Sequence, residues 1–159
     1  MAYLLAKDTQ NGTEGKIIVT IDGQNREVAF MRNIRATANV NTEDMRVIGT
    51  RKVQKKMNGV ALEGTGNAYY GPDQGLWRDM VLQYINTGVM PEFSIQITNN
   101  DPATSLGTEV TAYYGCYLTG EIPLSILDSE ESMLNYDLNF AYTNVQRLQD
   151  FNQPERLGS

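Results

Sequence analysis

The apolar residues of this chain recur mostly at every second position. Ile17, Val19 and Ile21 share one face of residues 16–22, a β-branched run that predicts a strand. Asp22-Gly23 is a turn signal, and Val28 and Phe30 alternate through residues 26–31, so the domain opens with a hairpin. Residues 33–40 and 45–50 predict further strands, and 60–70 another, in which Gly64 and Gly66 allow a bulge or a close backbone approach. Residues 51–59 before it have poor apolar alternation and most of the positive charge, and read as a long projecting loop or hairpin arm. Further on, Phe93, Ile95 and Ile97 alternate, and a polar loop ends at Gly107. In residues 109–119, Val110, Ala112, Tyr114, Cys116 and Leu118 share one face, with Tyr113 and Tyr117 on the other. Such two-sided apolar character suits a strand covered on both faces, or one whose second face meets a neighbouring subunit. Residues 121–127 predict a short strand, 128–132 a turn, and 134–143 alternates strictly through Leu134, Tyr136, Leu138, Phe140 and Tyr142.

One segment changes period. Gly71-Pro72 opens a helix at about residues 72–87, with Pro at the first helical position and Asp73 in the first turn. Leu76, Trp77, Met80, Val81, Tyr84 and Ile85 recur at helical spacing, and the stripe reads as a face packed on a sheet rather than a ligand groove. Gly88 stops the helix and Pro91 prevents its resumption. About eight strands and one helix predict a mainly β domain over residues 16–145, a β-sandwich or partly closed β-barrel with one flanking α-helix. Residues 1–15 read as a flexible N-terminal arm and 146–159 as a polar, exposed C-terminal tail.

Composition removes most chemistry from this frame. The 159 residues suit one domain, and 41% hydrophobic with 20% charged residues is a globular composition. The absence of histidine excludes Ser–His–Asp and Cys–His catalysis, and the single cysteine excludes an internal disulfide or a Cys₄ zinc site. Cys116, alternating with apolar residues, reads as a buried small hydrophobe. Gly64-Thr65-Gly66 has no third glycine at position 69, so the dinucleotide fingerprint fails. Asp128, Glu130 and Glu131 lack the ordered spacing of a calcium loop and read as a solvated turn. No catalytic residue, cofactor or metal is expected. The opening residues lack a basic n-region, and the longest uncharged stretch, residues 80–91, is broken by Gln, Asn, Gly and Pro. A soluble protein without membrane anchoring, made in the cytoplasm, is expected.

Charge divides the chain. Residues 1–79 hold 11 basic and 9 acidic residues, whereas 80–159 hold 2 basic and 10 acidic, so the formal −6 is +2 followed by −8. Arg46, Arg51, Lys52, Lys55 and Lys56 fall in a window without an acidic residue, and Asp128, Glu130 and Glu131 sit together without a basic neighbour. The basic cluster fits a nucleic-acid surface, a merely solvated hairpin face, or one copy's loop meeting another copy's acidic surface. The nine tyrosines suit half-wet contact surfaces as well as ordinary strand packing.

Several short segments recur in one order: Gly12-Thr13-Glu14-Gly15-Lys16, Asp22-Gly23, Gly49-Thr50-Arg51, and Gly64-Thr65-Gly66-Asn67-Ala68-Tyr69-Tyr70 before the helix. After it come Tyr84, Gly88, Pro91 and Phe93, then Ser105-Leu106-Gly107-Thr108-Glu109-Val110 and Leu127-Asp128-Ser129-Glu130-Glu131, ending in the strand through Phe140. In this order and spacing the chain resembles the tail tube proteins of contractile-tailed phages, in the branch of PBSX-like prophages and phage-tail-like bacteriocins. The resemblance implies a structural subunit of a virion tail, assembled in the host bacterial cytoplasm. It implies hexameric rings stacked into a hollow tube, with sheath, baseplate and tail-terminator proteins as partners. It implies that DNA passes through the lumen without specific binding; on physical grounds, surplus negative charge facing such a lumen would keep phosphates from sticking. The segment at about 46–59 would reach a neighbouring subunit or ring, pairing its basic residues with Asp128, Glu130 and Glu131. The alternative reading is a monomeric β-barrel nucleic-acid-binding module using the cluster from Arg46 to Lys56.

Overall fold

A computed structural model describes residues 5–8, 12–13, 15–28, 30–103, 106–130 and 132–151, except for the side chains of 73 and 74. Glu14, Ser105, Glu131, Gly158 and Ser159 lie outside the described residues. The strands are β1 (Gly15–Ile21), β2 (Gln24–Glu27), β3 (Met31–Met45), β4 (Gln54–Tyr69), β5 (Phe93–Asn100), β6 (Thr108–Thr119), β7 (Asn135–Ala141) and β8 (Asn144–Gln149). The helix α1 (Pro72–Thr87) connects β4 to β5. All strands join one antiparallel sheet in the order β2-β1-β5-β6-β7-β4-β3, with β8 also paired to β6. Among the described residues the sheet is not closed, and β2, β3 and β8 each have a single strand neighbour.

Turn chemistry sets the first hairpin. Asp22 and Gly23 have φ of 51° and 78°, the two left-handed positions a two-residue primed turn requires, and Ile21 pairs with Gln24. The predicted strand over 26–31 divides. Val28 leaves β2 and is buried in the core, its N–H donating to the Ile17 carbonyl at 2.9 Å, while β3 starts afresh at Met31.

The sheet turns a corner within β6. Residues Thr108 to Cys116 pair with β5, and Val110 to Tyr114 pair with β8 on the opposite side. Residues Tyr117 to Thr119 pair instead with β7. At the change, Phe93 faces Cys116 and Ile95 faces Tyr113, so Tyr114 and Gly115 together oppose Ser94 alone. This bulge needs Gly115 at φ +63°, where a Cβ would collide with Thr143 Oγ1. The Thr143 N–H and hydroxyl both donate to the Tyr114 carbonyl, at 3.1 and 3.2 Å, fixing the β7–β8 junction to the corner. The corner folds the two half-sheets around one core. Val19, Phe93 and Ile95 come from one half, Ala68, Leu138 and Phe140 from the other, and Trp77 and Met80 from α1.

Four expectations are corrected. Residues 45–50 are not a separate strand: β3 runs unbroken from Met31 to Met45 with a bulge between Val40 and Thr42, and β4 already begins at Gln54. Apolar alternation misleads there because neither face of this part of the hairpin is buried, so nothing selects the pattern. Residues 121–127 form no strand; Ile122 and Ile126 pack on the core as irregular chain, and the Leu124 carbonyl accepts from Arg78 Nη1 at 3.4 Å. Residues 146–149 are not tail but part of β8, an exposed edge that pairs through its backbone. In α1 only the first turns are packed: Trp77 and Met80 are buried, with Leu76 and Val81 against the core, whereas Tyr84 and Ile85 are 51% and 63% exposed. Trp77 lies 5.6 Å from the Phe93 ring, and the last turn overhangs the sheet up to the cap, where the Gly88 N–H donates to the Tyr84 carbonyl at 2.8 Å.

Candidate assembly surfaces

β3 and β4 pair along their whole length, from Met31 opposite Ala68 to Met45 opposite Gln54. β7 accompanies β4 only from Tyr69 to Glu63, so the outer part of the hairpin is a bare two-stranded ribbon. Val40, Met45, Val47, Val53, Met57 and Val60 are exposed along it, and Ile48 in the turn is fully exposed. A two-stranded ribbon is marginal in water by itself, and an apolar one is a surface suited to a partner.

Charge on the ribbon is more mixed than the sequence window suggests. Arg46, Arg51, Lys52, Lys55 and Lys56 are all exposed. Lys55 Nζ reaches Asp44 Oδ1 at 2.7 Å, and Lys56 stands opposite Glu43, whose Oε1 accepts from Asn58 Nδ2 at 3.2 Å. Only Arg46, Arg51 and Lys52 occupy the turn itself. The acidic turn lies elsewhere. Asp128 Oδ1 accepts the Glu130 N–H at 3.0 Å, and Glu130 shares an open depression with Arg32, Tyr69, Met133 and Asn135 at the root of the hairpin. The fifteen residues of β3 are fourteen steps of about 3.3 Å, which separate root from tip by roughly 46 Å. The basic and acidic groups therefore stand at opposite ends of the hairpin and do not meet within one protomer. Glu131 lies outside the described residues.

A third surface escapes the sequence reading. On the solvent side of β3, β4 and β7, Asn67 is the centre of a polar ladder. Its Oδ1 accepts from Arg32 Nη1 at 3.2 Å, and its Nδ2 donates to Asn135 Oδ1 at 3.2 Å and Asp137 Oδ1 at 2.9 Å. Arg32 also lies over the Tyr69 ring, 5.2 Å from its centroid. The signal was present as Asn and Thr alternating with apolar residues in 33–39, 63–67 and 135–141. In sequence, the polar half of such an alternation looks the same whether its side chains bond one another or only water. Cys116, by contrast, is fully buried, and burial pushes its thiol up to about 11 despite a smaller opposing contribution from a hydrogen bond with the Ile95 backbone.

Residues 2–149 match the family model described as Phage tail tube protein. The chain belongs to the phage tail tube protein family. It is thus a structural subunit of a tail tube, a component of a tail particle. Among curated relatives, the phage-like element PBSX protein XkdM of Bacillus subtilis (strain 168) is 27% identical over 155 residues, covering 97% of this chain and 96% of the relative. The protein YqbM of the same strain is 27% identical over 157 residues, covering 98% and 97%. Solved structures share the fold. A chain of the anti-feeding prophage cap, which terminates the tube, aligns with a TM-score of 0.60 at 14% identity, covering 94% of this chain and 93% of that one. A chain of the six-fold symmetrised anti-feeding prophage baseplate gives 0.59 at 12%, covering 85% and 92%. One of the extended sheath–tube complex of an extracellular contractile injection system gives 0.56 at 12%, covering 93% and 92%. No finding supports the nucleic-acid-binding module, and the carboxylates of Glu43 and Asp44 offset part of the charge it would need.

Proposed function

We propose that six copies of this tube protein close into a ring through their sheet edges, and that rings stack head to tail into the hollow inner tube of a contractile tail. The observation that carries this is the hairpin: among the described residues no strand pairs with the outer side of the fifteen-residue β3, and the ribbon beyond β7 exposes apolar side chains. Joining edges between copies removes the exposed templates that free strands present. A head-to-tail contact is heterologous and therefore continues into a filament. The separation of the basic turn (Arg46, Arg51, Lys52) from Asp128 and Glu130 supports stacking, because only different protomers can bring the two together and the pairing sets polarity. Sheath, baseplate and tube-terminating proteins are the partners this role requires. DNA is the cargo, and the subunit catalyses no reaction.

Negative-stain microscopy of concentrated protein is the test. Rings or hollow tubes of constant diameter are expected. A species that stays monomeric at every concentration, and also in the presence of its tail-assembly partners, would overturn the reading.

A further inference from the structure

The ribbon beyond β7 carries a reactive pair of residues. Of the chain's two Asn-Gly pairs, Asn11-Gly12 begins outside the described residues and Asn58-Gly59 stands on β4. The register steps there: Thr42 faces Met57 and Val40 faces Val60, so Asn58 and Gly59 together oppose Asn41 alone. Gly59 takes φ +120° in this bulge. Both residues are exposed, and nothing lies within 4 Å of the place a Cβ on Gly59 would occupy. The Asn58 side chain reaches across to β3, where its Nδ2 donates to Glu43 Oε1 at 3.2 Å.

We propose that Asn58 is a modification site: it deamidates spontaneously in the unassembled subunit, and the carboxylate it becomes weakens the hairpin as an assembly element. The first half stands on the ribbon alone; the second rests on the ring-and-tube reading above.

The chemistry needs water and no other reagent. The Gly59 backbone nitrogen gives up its proton to hydroxide or buffer and attacks Cγ of Asn58. A five-membered succinimide closes, and the side-chain nitrogen leaves as ammonia. Water then opens the ring at either carbonyl, giving aspartate, or isoaspartate in which the main chain runs on through Cγ. Nothing is oxidised or reduced. Two features of the fold favour ring closure. Glycine puts no side chain beside the attacking nitrogen and tolerates the backbone excursion that the ring demands. A two-stranded ribbon without a dry face also opens at small cost, whereas β4 at Asn67 is held by β3 on one side and β7 on the other.

The product acts on the ribbon in two ways. Glu43 loses its donor and gains a second carboxylate in its place, a diagonal like-charge pair across the strands. The hairpin also loses one unit of the positive surplus that Arg46, Arg51, Lys52, Lys55 and Lys56 hold over Glu43 and Asp44. That surplus is what would draw the turn to Asp128 and Glu130 of another copy. Isoaspartate, in addition, lengthens the backbone at a bulge that already holds an extra residue.

The test follows the tryptic peptide 57–78 of the full chain by mass spectrometry during incubation at mildly alkaline pH. This peptide holds Asn58 and, as an internal reference, Asn67, whose amide donates to Asn135 and Asp137. Three states are compared: unfolded in guanidinium chloride, folded but too dilute to assemble, and assembled into tubes verified by microscopy. In the dilute folded subunit Asn58 is expected to convert within about tenfold of its unfolded rate, with Asn67 slowed more than that. Slowing of Asn58 beyond about tenfold would show a closed ribbon, and equal slowing at both residues would show that the ribbon is not what opens. Either result overturns the first half. In tubes Asn58 should slow by about a further tenfold or more, and undiminished conversion there overturns the second half. Asn58→Asp supplies the product directly. It should keep the circular dichroism of the unmodified subunit and raise the concentration needed for tubes by roughly two- to fivefold. Asn58→Gln retains both an amide and Asn11-Gly12, and should stay competent through an incubation in which the unmodified protein loses assembly. Unchanged assembly of Asn58→Asp, or equal loss by Asn58→Gln, overturns the second half. If fresh unmodified protein forms no tubes, the ring-and-tube reading falls and the second half with it, while the rates at Asn58 and Asn67 still decide the first.

Discussion

The hydroxyl of Tyr142 donates to the backbone carbonyl of Thr37 at 2.9 Å, across β4, tying the β7–β8 junction to the strand that ends the sheet. The phenol body is buried, so the bond forms with little competition from water. Tyr142→Phe keeps the packing and deletes the bond, and is expected to lower unfolding stability by about 1 kcal/mol. Urea titration checks this, and tubes should still form. Tyr142→Ala should cost about 3 kcal/mol or more, because the ring leaves a cavity beside Tyr113 and Phe140.

Gly64 faces Phe140 directly across β4 and β7, and a Cβ on Gly64 would land on the ring. Gly64→Ala is expected to destabilise by about 1–3 kcal/mol through overpacking. Phe140→Leu should also destabilise, but the double variant should lose less than the two single losses together. A double-mutant cycle by chemical denaturation reads the coupling directly.

Alkaline pH should weaken the fold. Burial raises the thiol of Cys116 from its ordinary 9.0 to about 11. It also raises the phenols of Tyr113 and Tyr142 above their ordinary 10.0, with smaller contributions from Tyr142 and Glu109 on the first and from Cys116 on the second. A group that holds its proton longer in the folded state binds more protons there than when unfolded, so stability falls as pH rises between the two values. For Cys116 that window opens near pH 9 and closes near 11. Stability measured by denaturation should be flat up to about pH 9 and decline above it, and Cys116→Ala should remove part of the decline. A thiol reagent at neutral pH should react only after unfolding.

Reversing charge at Lys52, Lys55 and Lys56 together should impair stacking and leave the subunit folded. The Lys55–Asp44 pair is more than half exposed on both sides and contributes at most about 1 kcal/mol. Far-ultraviolet circular dichroism should therefore be unchanged while sedimentation shows shorter or no tubes. Normal polymerisation of the triple variant would mean that the loop is only solvated. Ile48→Asp, at the fully exposed tip, is expected to have the same effect.

What could be read in the sequence follows from which faces are buried. The Asp22-Gly23 turn, the limits of α1 at Pro72 and Gly88, and the strand through Leu138 and Phe140 were legible because local chemistry and one dry face agree there. The ribbon was not, because Glu43 opposite Lys56 and Asp44 opposite Lys55 pair strands without any apolar period. β8 was hidden for the same reason, being exposed at every position. The ends of α1's stripe misled in the opposite direction: Tyr84 and Ile85 keep helical spacing past the edge of the sheet that would cover them. The acidic and basic clusters were visible as charge, but their placement at opposite ends of one hairpin is a property of register, which no composition window contains.

The corner in β6 also governs how the chain reaches its native state. Thr108 to Thr119 is the meeting point of β5, β7 and β8, and its last partner is residues 144–149. The pairs β1–β5, β4–β7 and β6–β8 join strands distant in sequence, so loops must close over long separations before the sheet rewards them. Topologies of this kind fold in roughly milliseconds to seconds rather than microseconds. Until β8 docks, the side of β6 from Val110 to Tyr114 stands open, and a subunit truncated before Asn144 would leave those buried-strand backbone groups without their partner permanently.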